Sequence, residues 1–149
     1  MLRLVKAVTR RGRLLVAPWA ALTADATLTL LLQSQYYWSG HYEAASEAEV
    51  IGAMTMRLHP LAFVAWIVVW ASILGVIIVL LPPILARITS VAATLLHAFG
   101  LLSWLLTWSS NPYVVYLCGL LCAVLIVYSL DQKTVRDNVA DLEENDVRN

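Results

Sequence analysis

The sequence predicts an all-α, multi-pass membrane protein whose four transmembrane helices form one bundle. Of its 149 residues, 60% are hydrophobic and 13% are charged, against about 25% charged residues in soluble domains. Four apolar stretches are each long enough to cross about 30 Å of hydrocarbon at about 1.5 Å per residue. The basic residues are concentrated on one side of these stretches, as the positive-inside rule requires of a membrane protein.

The predicted spans cover residues 14–34, 61–81, 84–108 and 113–130. The first contains one charged residue, Asp25. The second has none, and the pairs His59-Pro60 and Pro82-Pro83 mark its ends because proline disrupts a continuing helix. The fourth is the shortest, and its terminal tyrosines suit the membrane interface. The spans therefore form one membrane domain, residues 14–130, with polar segments on either side of it.

The lysines and arginines assign a direction to these spans. Arg57 is the only basic residue between the first two spans, where three glutamates accompany it. The other nine fall before the first span, just after the Pro82-Pro83 pair at the start of the third, or after the fourth: Arg3, Lys6, Arg10, Arg11, Arg13, Arg87, Lys133, Arg136 and Arg148. The positive-inside rule then places the basic N-terminus, residues 1–13, and the charged tail, residues 131–149, in the cytoplasm.

Topology accounts for the basic cluster, so nucleic-acid binding is not indicated. The compact chain carries no organelle-targeting pattern, which favours a prokaryotic plasma (inner) membrane. The arginines, the apolar run and Ala24-Asp25-Ala26 together resemble a cleavable signal peptide, and Thr9-Arg10-Arg11 resembles a twin-arginine signal. However, the apolar run continues to Leu32 and an aspartate beside a cleavage site is unusual, so we expect a retained helix.

The external loop, residues 35–60, opens with the aromatic run 36–38, which suits headgroup depth. Ser46 and Glu49 have the spacing of a capping box. Three apolar residues follow at helical spacing: Ile51, Met54 and Leu58. We therefore predict a short surface helix over the mouth of the bundle. The alternative is a packed connector that binds nothing.

Polar residues form stripes on two of the predicted helices. Asp25, Thr29 and Gln33 are spaced at i, i+4 and i+8 on the first, while Thr94 and His97 lie close to one face of the third. Asp25 and His97 lie roughly 16 and 20 Å from the inner boundary of the membrane. Since a charged group inside a membrane needs a partner, we predict that these two share a buried polar site. The alternative is a hydrogen bond that only fixes helix register.

The sequence indicates no metal site, cofactor or enzymatic activity. Cys118 and Cys122 lack further ligands at metal-binding spacing. A haem held by His59 and His97 is disfavoured, because the first lies at the outer edge and the second roughly 17 Å below the outer end of its helix. No nucleophile, phosphate-binding loop or paired-carboxylate motif is present.

Small residues indicate where helices approach one another. Ala71 and Gly75 lie one turn apart on the second predicted helix, and Gly119 and Ala123 lie one turn apart on the fourth. Small side chains let helix backbones come close in a membrane. All four positions are therefore predicted helix-packing sites.

A four-helix membrane protein with one carboxylate midway along its first helix resembles the small multidrug-resistance transporters. In that family the carboxylate binds protons and cationic drugs alternately, so the resemblance implies such a role for Asp25. The chain departs from the family pattern in having aspartate rather than glutamate there, a long loop over 35–59, and a strong charge bias. The resemblance is therefore one of architecture.

The predicted function is a non-enzymatic accessory or assembly subunit. Its partners would be the lipid bilayer and either another membrane protein or further copies of the chain. The alternative is a small proton- or cation-coupled transporter or small-molecule binding protein. In that case Asp25 binds the proton or ligand, His97 tunes it, Thr94 lies beside them, and Thr29 and Gln33 line the outward path.

Overall fold

The computed structural model describes the backbone of residues 2–108 and 112–130, and the side chains of residues 11–108 and 113–128. The predictions for the tail, 131–149, lie outside the described residues. Every regular element in the described ranges is helical, which confirms the predicted class. The six α-helices are α1 (Leu2–Leu31), α2 (Gln35–Trp38), α3 (Val50–Leu58), α4 (Pro60–Leu80), α5 (Pro83–Trp108) and α6 (Pro112–Leu130).

In the part of the chain that the structure describes, three helical segments are long and apolar enough to cross a membrane: Arg11–Leu31, Pro60–Leu80 and Pro83–Trp108. A fourth apolar segment, Tyr113–Tyr128, is shorter. These helices fit a membrane-embedded protein. Helix α1 extends further towards the N-terminus than the apolar run, because lysine and arginine are good helix formers and hydropathy marks only where charges end.

Helix α1 is the centre of the packing. It contacts α4, α5 and α6, and its interface with α5 is the most extensive. Helix α6 also packs against α5, whereas α4 and α5 contact each other less than either contacts α1. Small residues on α1 and α5 are buried, including Ala17 and Ala21 on α1 and Ala98 on α5. Such residues let the two backbones approach closely.

Pro18 lies inside α1 and is fully buried. Proline has no N–H, so it cannot donate to the carbonyl of Leu14 four residues earlier. The hydroxyl of Ser90 on α5 donates to that carbonyl oxygen over 2.6 Å. The hydrogen bond between the helices thus replaces the one that the proline removes within α1.

Substituting Ser90→Ala is expected to destabilise the protein by about 1–3 kcal/mol, because the Leu14 carbonyl loses its donor in a buried place. In a Pro18→Ala background the cost should fall sharply, since the restored N–H satisfies the same carbonyl. A double-mutant cycle of unfolding free energies in detergent measures this coupling. Ser72→Ala is the control, because its exposed hydroxyl bonds within its own helix; additive effects at 18 and 90 would contradict the assignment.

Arginines fix the end of the bundle at which α4 turns into α5. The Nη1 of Arg11 donates to the carbonyl oxygens of Val79, over 2.7 Å, and of Leu81. These carbonyls lack donors because α4 ends there, and a cation suits the negative end of the helix dipole. The guanidinium of Arg13 lies 6.0 Å from the ring centre of Tyr128, so the C-terminal part of α6 lies at this same end.

The connecting segment, residues 32–59, folds over the opposite end of the bundle. Its core is the buried cluster of Tyr37, Met56 and Phe63, and the hydroxyl of Tyr37 donates to the Met56 carbonyl oxygen over 3.2 Å. A short 3-10 turn, Tyr42–Ala44, lies between α2 and α3. The segment is thus anchored on α4 through Phe63.

Helix α3 falls where the sequence predicts a surface helix, but it starts differently. Glu49 rather than Ser46 is the N-cap, and its carboxylate accepts from the N–H groups of Ile51 and Gly52. Ser46 is engaged elsewhere through its backbone. The buried face of α3 carries Gly52 and Met56, so the apolar residues on which the helix was predicted lie on its exposed face: Ile51, Met54 and Leu58.

The predicted packing residues differ in their surroundings. The ring of Trp19 from α1 lies against Gly75, where an added Cβ would be 3.1 Å from Cζ2, and its indole N–H donates to the Ala71 carbonyl oxygen over 3.1 Å. The ring of Trp19 therefore fills the space beside the small residues Ala71 and Gly75. Gly119 has no heavy atom of the described residues within 4 Å of an added Cβ, and Ala123 is exposed. The role of these two residues in helix packing stays a prediction.

Candidate functional site

Asp25 and His97 are in contact between α1 and α5. The Nδ1 of His97 lies 3.1 Å from the Oδ2 of Asp25, and the side chains are 19% and 14% exposed for Asp25 and His97 respectively. An ionised carboxylate only accepts hydrogen bonds, so Nδ1 is the donor in the state in which Asp25 carries its charge. The Nε2 of His97 is buried and has no hydrogen-bond partner among the described residues. The imidazole therefore orients the carboxylate through one nitrogen and leaves the other unused.

Gly100 lies one turn after His97 and touches the same carboxylate. A Cβ added at Gly100 would lie 2.7 Å from each carboxylate oxygen of Asp25 and 3.0 Å from its Cγ. The carboxylate thus rests against the bare α5 backbone. Only glycine permits this separation without a shift.

A cavity of about 950 Å³ opens beside the Asp25–His97 pair. Helices α1, α4 and α5 form its walls, and the connecting segment covers it with residues 45–49, Ile51 and Gly52. Its volume is in the range of small-molecule sites. The α1 wall contributes Leu22, Asp25, Ala26 and Thr29.

The charged residues that line the cavity are predominantly acidic. The acidic residues Asp25, Glu47 and Glu49 line it together with His97, whereas no lysine or arginine is among the described residues that line it. The Glu49 carboxylate is already bound to the N-terminal N–H groups of α3. Asp25 has His97 alone as a hydrogen-bonding partner among the described residues. The cavity therefore favours a positively charged occupant.

Aromatic rings supply much of the apolar lining. Trp66 and Trp70 on α4 are stacked, with ring centres 6.2 Å apart and an angle of 20° between their planes. Both line the cavity, as do Phe63, Phe99 and Trp104. Indole faces attract cations as well as apolar groups. The walls thus suit a bulky cation better than a hydrated metal ion, and the described residues contain no cluster of three or more metal-binding side chains.

The other predicted site residues are placed differently. Thr29 is buried and lines the cavity, but Thr94 is fully buried elsewhere and donates to the Ser90 carbonyl oxygen over 2.8 Å. Gln33 does not line the cavity: its Nε2 donates to the carbonyl oxygens of Thr29 and Ser46, and its Oε1 accepts from the N–H of Ser46. Gln33 therefore holds the connecting segment on α1, because a side-chain amide can pair with both groups of one backbone residue.

Sequence reasoning did not identify Glu47, Gly100, Ser103 or Thr107 as neighbours of the site. A signal for two of these residues exists, since Gly100 and Thr107 follow His97 at i+3 and i+10 and so share its face. Glu47 carries no comparable signal, because its position depends on how the connecting segment folds.

The outer histidines have local roles. The Nδ1 of His59 accepts from the N–H of Leu61 and so caps α4, while His41 stacks on Tyr36 with ring centres 4.0 Å apart. Neither lies among the cavity-lining residues, which leaves His97 as the histidine of the site. No family model, curated protein or solved structure matches this chain, so the interpretation of the site depends on its geometry.

Proposed function

We propose that this chain is a membrane protein that binds a small organic cation in the cavity between α1, α4 and α5, with Asp25 as the counter-ion. The observation that carries the proposal is the lining: three acidic residues, one histidine and two stacked tryptophans, with no lysine or arginine among the described lining residues. Aromatic walls bury the apolar part of such a ligand, and a few polar groups fix its orientation.

Electrostatics favour Asp25 as the residue that binds the charge. A carboxylate removed from bulk water is costly unless a positive group lies near it. The single contact with His97 leaves the second carboxylate oxygen without a hydrogen bond among the described residues. A ligand cation beside that oxygen would supply the missing stabilisation, and cation–π attraction to an indole would add to it.

Coupling to protons follows from the same geometry. A proton on Asp25 removes the charge that attracts the cation, so the two compete for one site. His97 then holds the carboxylate in position when the ligand leaves. This competition is the chemistry of a proton- or cation-coupled transporter, and it gives Asp25 and His97 distinct roles.

The membrane arrangement that we propose has four spans with both termini in the cytoplasm, in the plasma membrane of a prokaryote. Helix α6 is the fourth span: its 19 residues extend about 28 Å at the usual helical rise. The contacts of Arg11 with α4 and of Arg13 with Tyr128 bring basic residues to one end of the bundle. The glutamates of the connecting segment lie at the other end, which agrees with the positive-inside rule.

The proposal is tested with two probes of the same shape and opposite charge. Full-length protein in lipid nanodiscs is titrated with tetraphenylphosphonium and, separately, with tetraphenylborate, and tryptophan fluorescence is recorded. We expect saturable quenching by the cation and only non-saturable partitioning of the anion, because the cavity is acidic. Equal binding of both ions, or saturable binding of neither, would contradict a cation site.

A second candidate function is the accessory or assembly subunit, and the surface of α6 favours it. Among the described side chains of α6 only Cys122 is buried, while large apolar residues such as Leu117, Leu120 and Val124 are exposed. A partner helix could cover them. The two candidates differ at Asp25, because an assembly subunit requires its outer faces rather than a charge inside the cavity.

A further inference from the structure

The contact between Gly100 and Asp25 sets a steric limit on the site. Real Cβ atoms essentially never approach a heavy atom to the 2.7 Å that separates an added Cβ at Gly100 from each Asp25 oxygen. Something must move if residue 100 gains a side chain. The group that would move is the carboxylate, since it ends a short side chain whereas the α5 backbone is fixed by helical hydrogen bonds.

His97 limits how the carboxylate can move. The imidazole and Gly100 share one face of α5, and they contact the carboxylate at adjacent positions. A carboxylate displaced from Gly100 must therefore lengthen or break its 3.1 Å contact with the Nδ1 of His97. The contact between Asp25 and His97 is therefore incompatible with a side chain at position 100.

We infer that Gly100 is a positioning residue, which together with His97 fixes the Asp25 carboxylate where it faces the cavity. The inference also applies to the length of the side chain at position 25. In Asp25→Glu the side chain of residue 25 is one methylene longer, which drives its carboxylate into the same α5 backbone. The effect of Gly100 on ligand binding rests on the proposed function. Its effect on the position of the Asp25 carboxylate is independent of that function.

The other glycines differ in what an added Cβ would meet: at Gly52 it would lie 2.9 Å from the Oε2 of Glu49, and at Gly75 it would lie 3.1 Å from the Cζ2 of Trp19. Among the described residues, a Cβ added at Gly119 would meet nothing within 4 Å, and the same holds for Gly12. Gly119 lies in an apolar helix, α6, as Gly100 does in α5. Gly119→Ala is therefore a matched control for the effect of a glycine-to-alanine change on helix propensity and expression.

The test uses the full chain labelled with ¹⁵N-histidine in nanodiscs. Gly100→Ala should shift the His97 Nδ1 resonance, identified by its loss in His97→Gln, towards the position that it takes in Asp25→Ala, in which residue 25 has no group for Nδ1 to contact. Gly119→Ala should leave it unchanged. Tetraphenylphosphonium affinity should fall about tenfold in Gly100→Ala and stay the same in Gly119→Ala.

An unshifted His97 resonance in folded Gly100→Ala would overturn the inference. If that variant does not fold, Asp25→Glu decides instead: a native His97 resonance there would overturn the inference, and a shifted one would support it. The proposed function fails separately. Absence of tetraphenylphosphonium binding to the native chain, together with a shifted resonance in Gly100→Ala, would remove the cation site and leave the positioning role.

Discussion

Asp25→Asn is expected to weaken tetraphenylphosphonium binding by about 100-fold, because removing one member of a desolvated charge pair costs about 2–5 kcal/mol. The substitution is nearly isosteric and its amide oxygen can still accept from the Nδ1 of His97. The contact between α1 and α5 should therefore persist, and the variant should fold. The measurement is the same fluorescence titration in nanodiscs at neutral pH.

Glu43→Gln is the control for the loss of a negative charge. Glu43 lies in the 3-10 turn of the connecting segment, is exposed, and does not line the cavity. Its substitution should leave the affinity unchanged at physiological ionic strength, since exposed charges are screened over about 8 Å. Equal losses in both variants would show that Asp25 acts only through net charge. Unchanged binding in Asp25→Asn would remove it from the site.

The same variant separates the two candidate functions. A cation-binding protein loses its ligand but keeps its oligomeric state when Asp25 becomes asparagine. An assembly subunit shows no ligand to lose, and its association through exposed faces of α6 should persist. Cross-linking of the native and Asp25→Asn chains in membranes, alongside the titration, distinguishes these outcomes.

Tyr37→Ala is expected to cause the largest loss of stability, about 3–5 kcal/mol, as for other buried aromatic side chains. Tyr37 is fully buried against Met56 and Phe63, and its hydroxyl satisfies the Met56 carbonyl. Its loss should loosen the connecting segment rather than the α1–α5 interface. Protease protection of residues 41–58, together with the unfolding free energy in detergent, measures both consequences.

Tyr36→Ala provides the matched control, because the neighbouring tyrosine is 55% exposed. It should change stability by less than about 1 kcal/mol. Equal protease sensitivity in both variants would contradict a core centred on Tyr37.

Tyr37 also makes the stability of the protein depend on pH in the alkaline range. Burial, with a smaller contribution from Tyr42, raises the pKa of the Tyr37 phenol above its usual 10.0. The folded state therefore prefers the neutral phenol more strongly than the unfolded state does. The stability that this provides is complete below pH 10 and is lost as the pH rises through the raised pKa.

Part of the candidate site follows from one-dimensional rules. A carboxylate in an apolar run needs a partner, and counting residues along two helices put Asp25 and His97 at similar depths. Helical periodicity also relates Gly100 and Trp104 to His97. Such rules give the position of a residue along the helix axis and its spacing from other residues. They do not give the face that each helix presents to its neighbours, because the rotation of a helix about its axis depends on packing.

The role of Gln33 illustrates what such rules miss. Its spacing from Asp25 and Thr29 suggests a continuous polar path, yet its amide binds the backbone of Ser46. That contact joins residues 13 positions apart, and it depends on how the connecting segment returns to α1. Glu47 reaches the cavity for the same reason.

Composition, apolar segment length and proline positions were enough to determine the helical class and the membrane-length segments, since these depend on local hydrogen bonding and on the cost of exposing backbone to lipid. Only the tertiary structure decided that α1, α4 and α5 line one cavity with acidic residues and tryptophans. It also decided that Ser90 compensates for Pro18 and that Gly100 admits the Asp25 carboxylate. Each of these depends on contacts of a few ångströms between distant parts of the chain, and side-chain packing selects those contacts after the helices have formed.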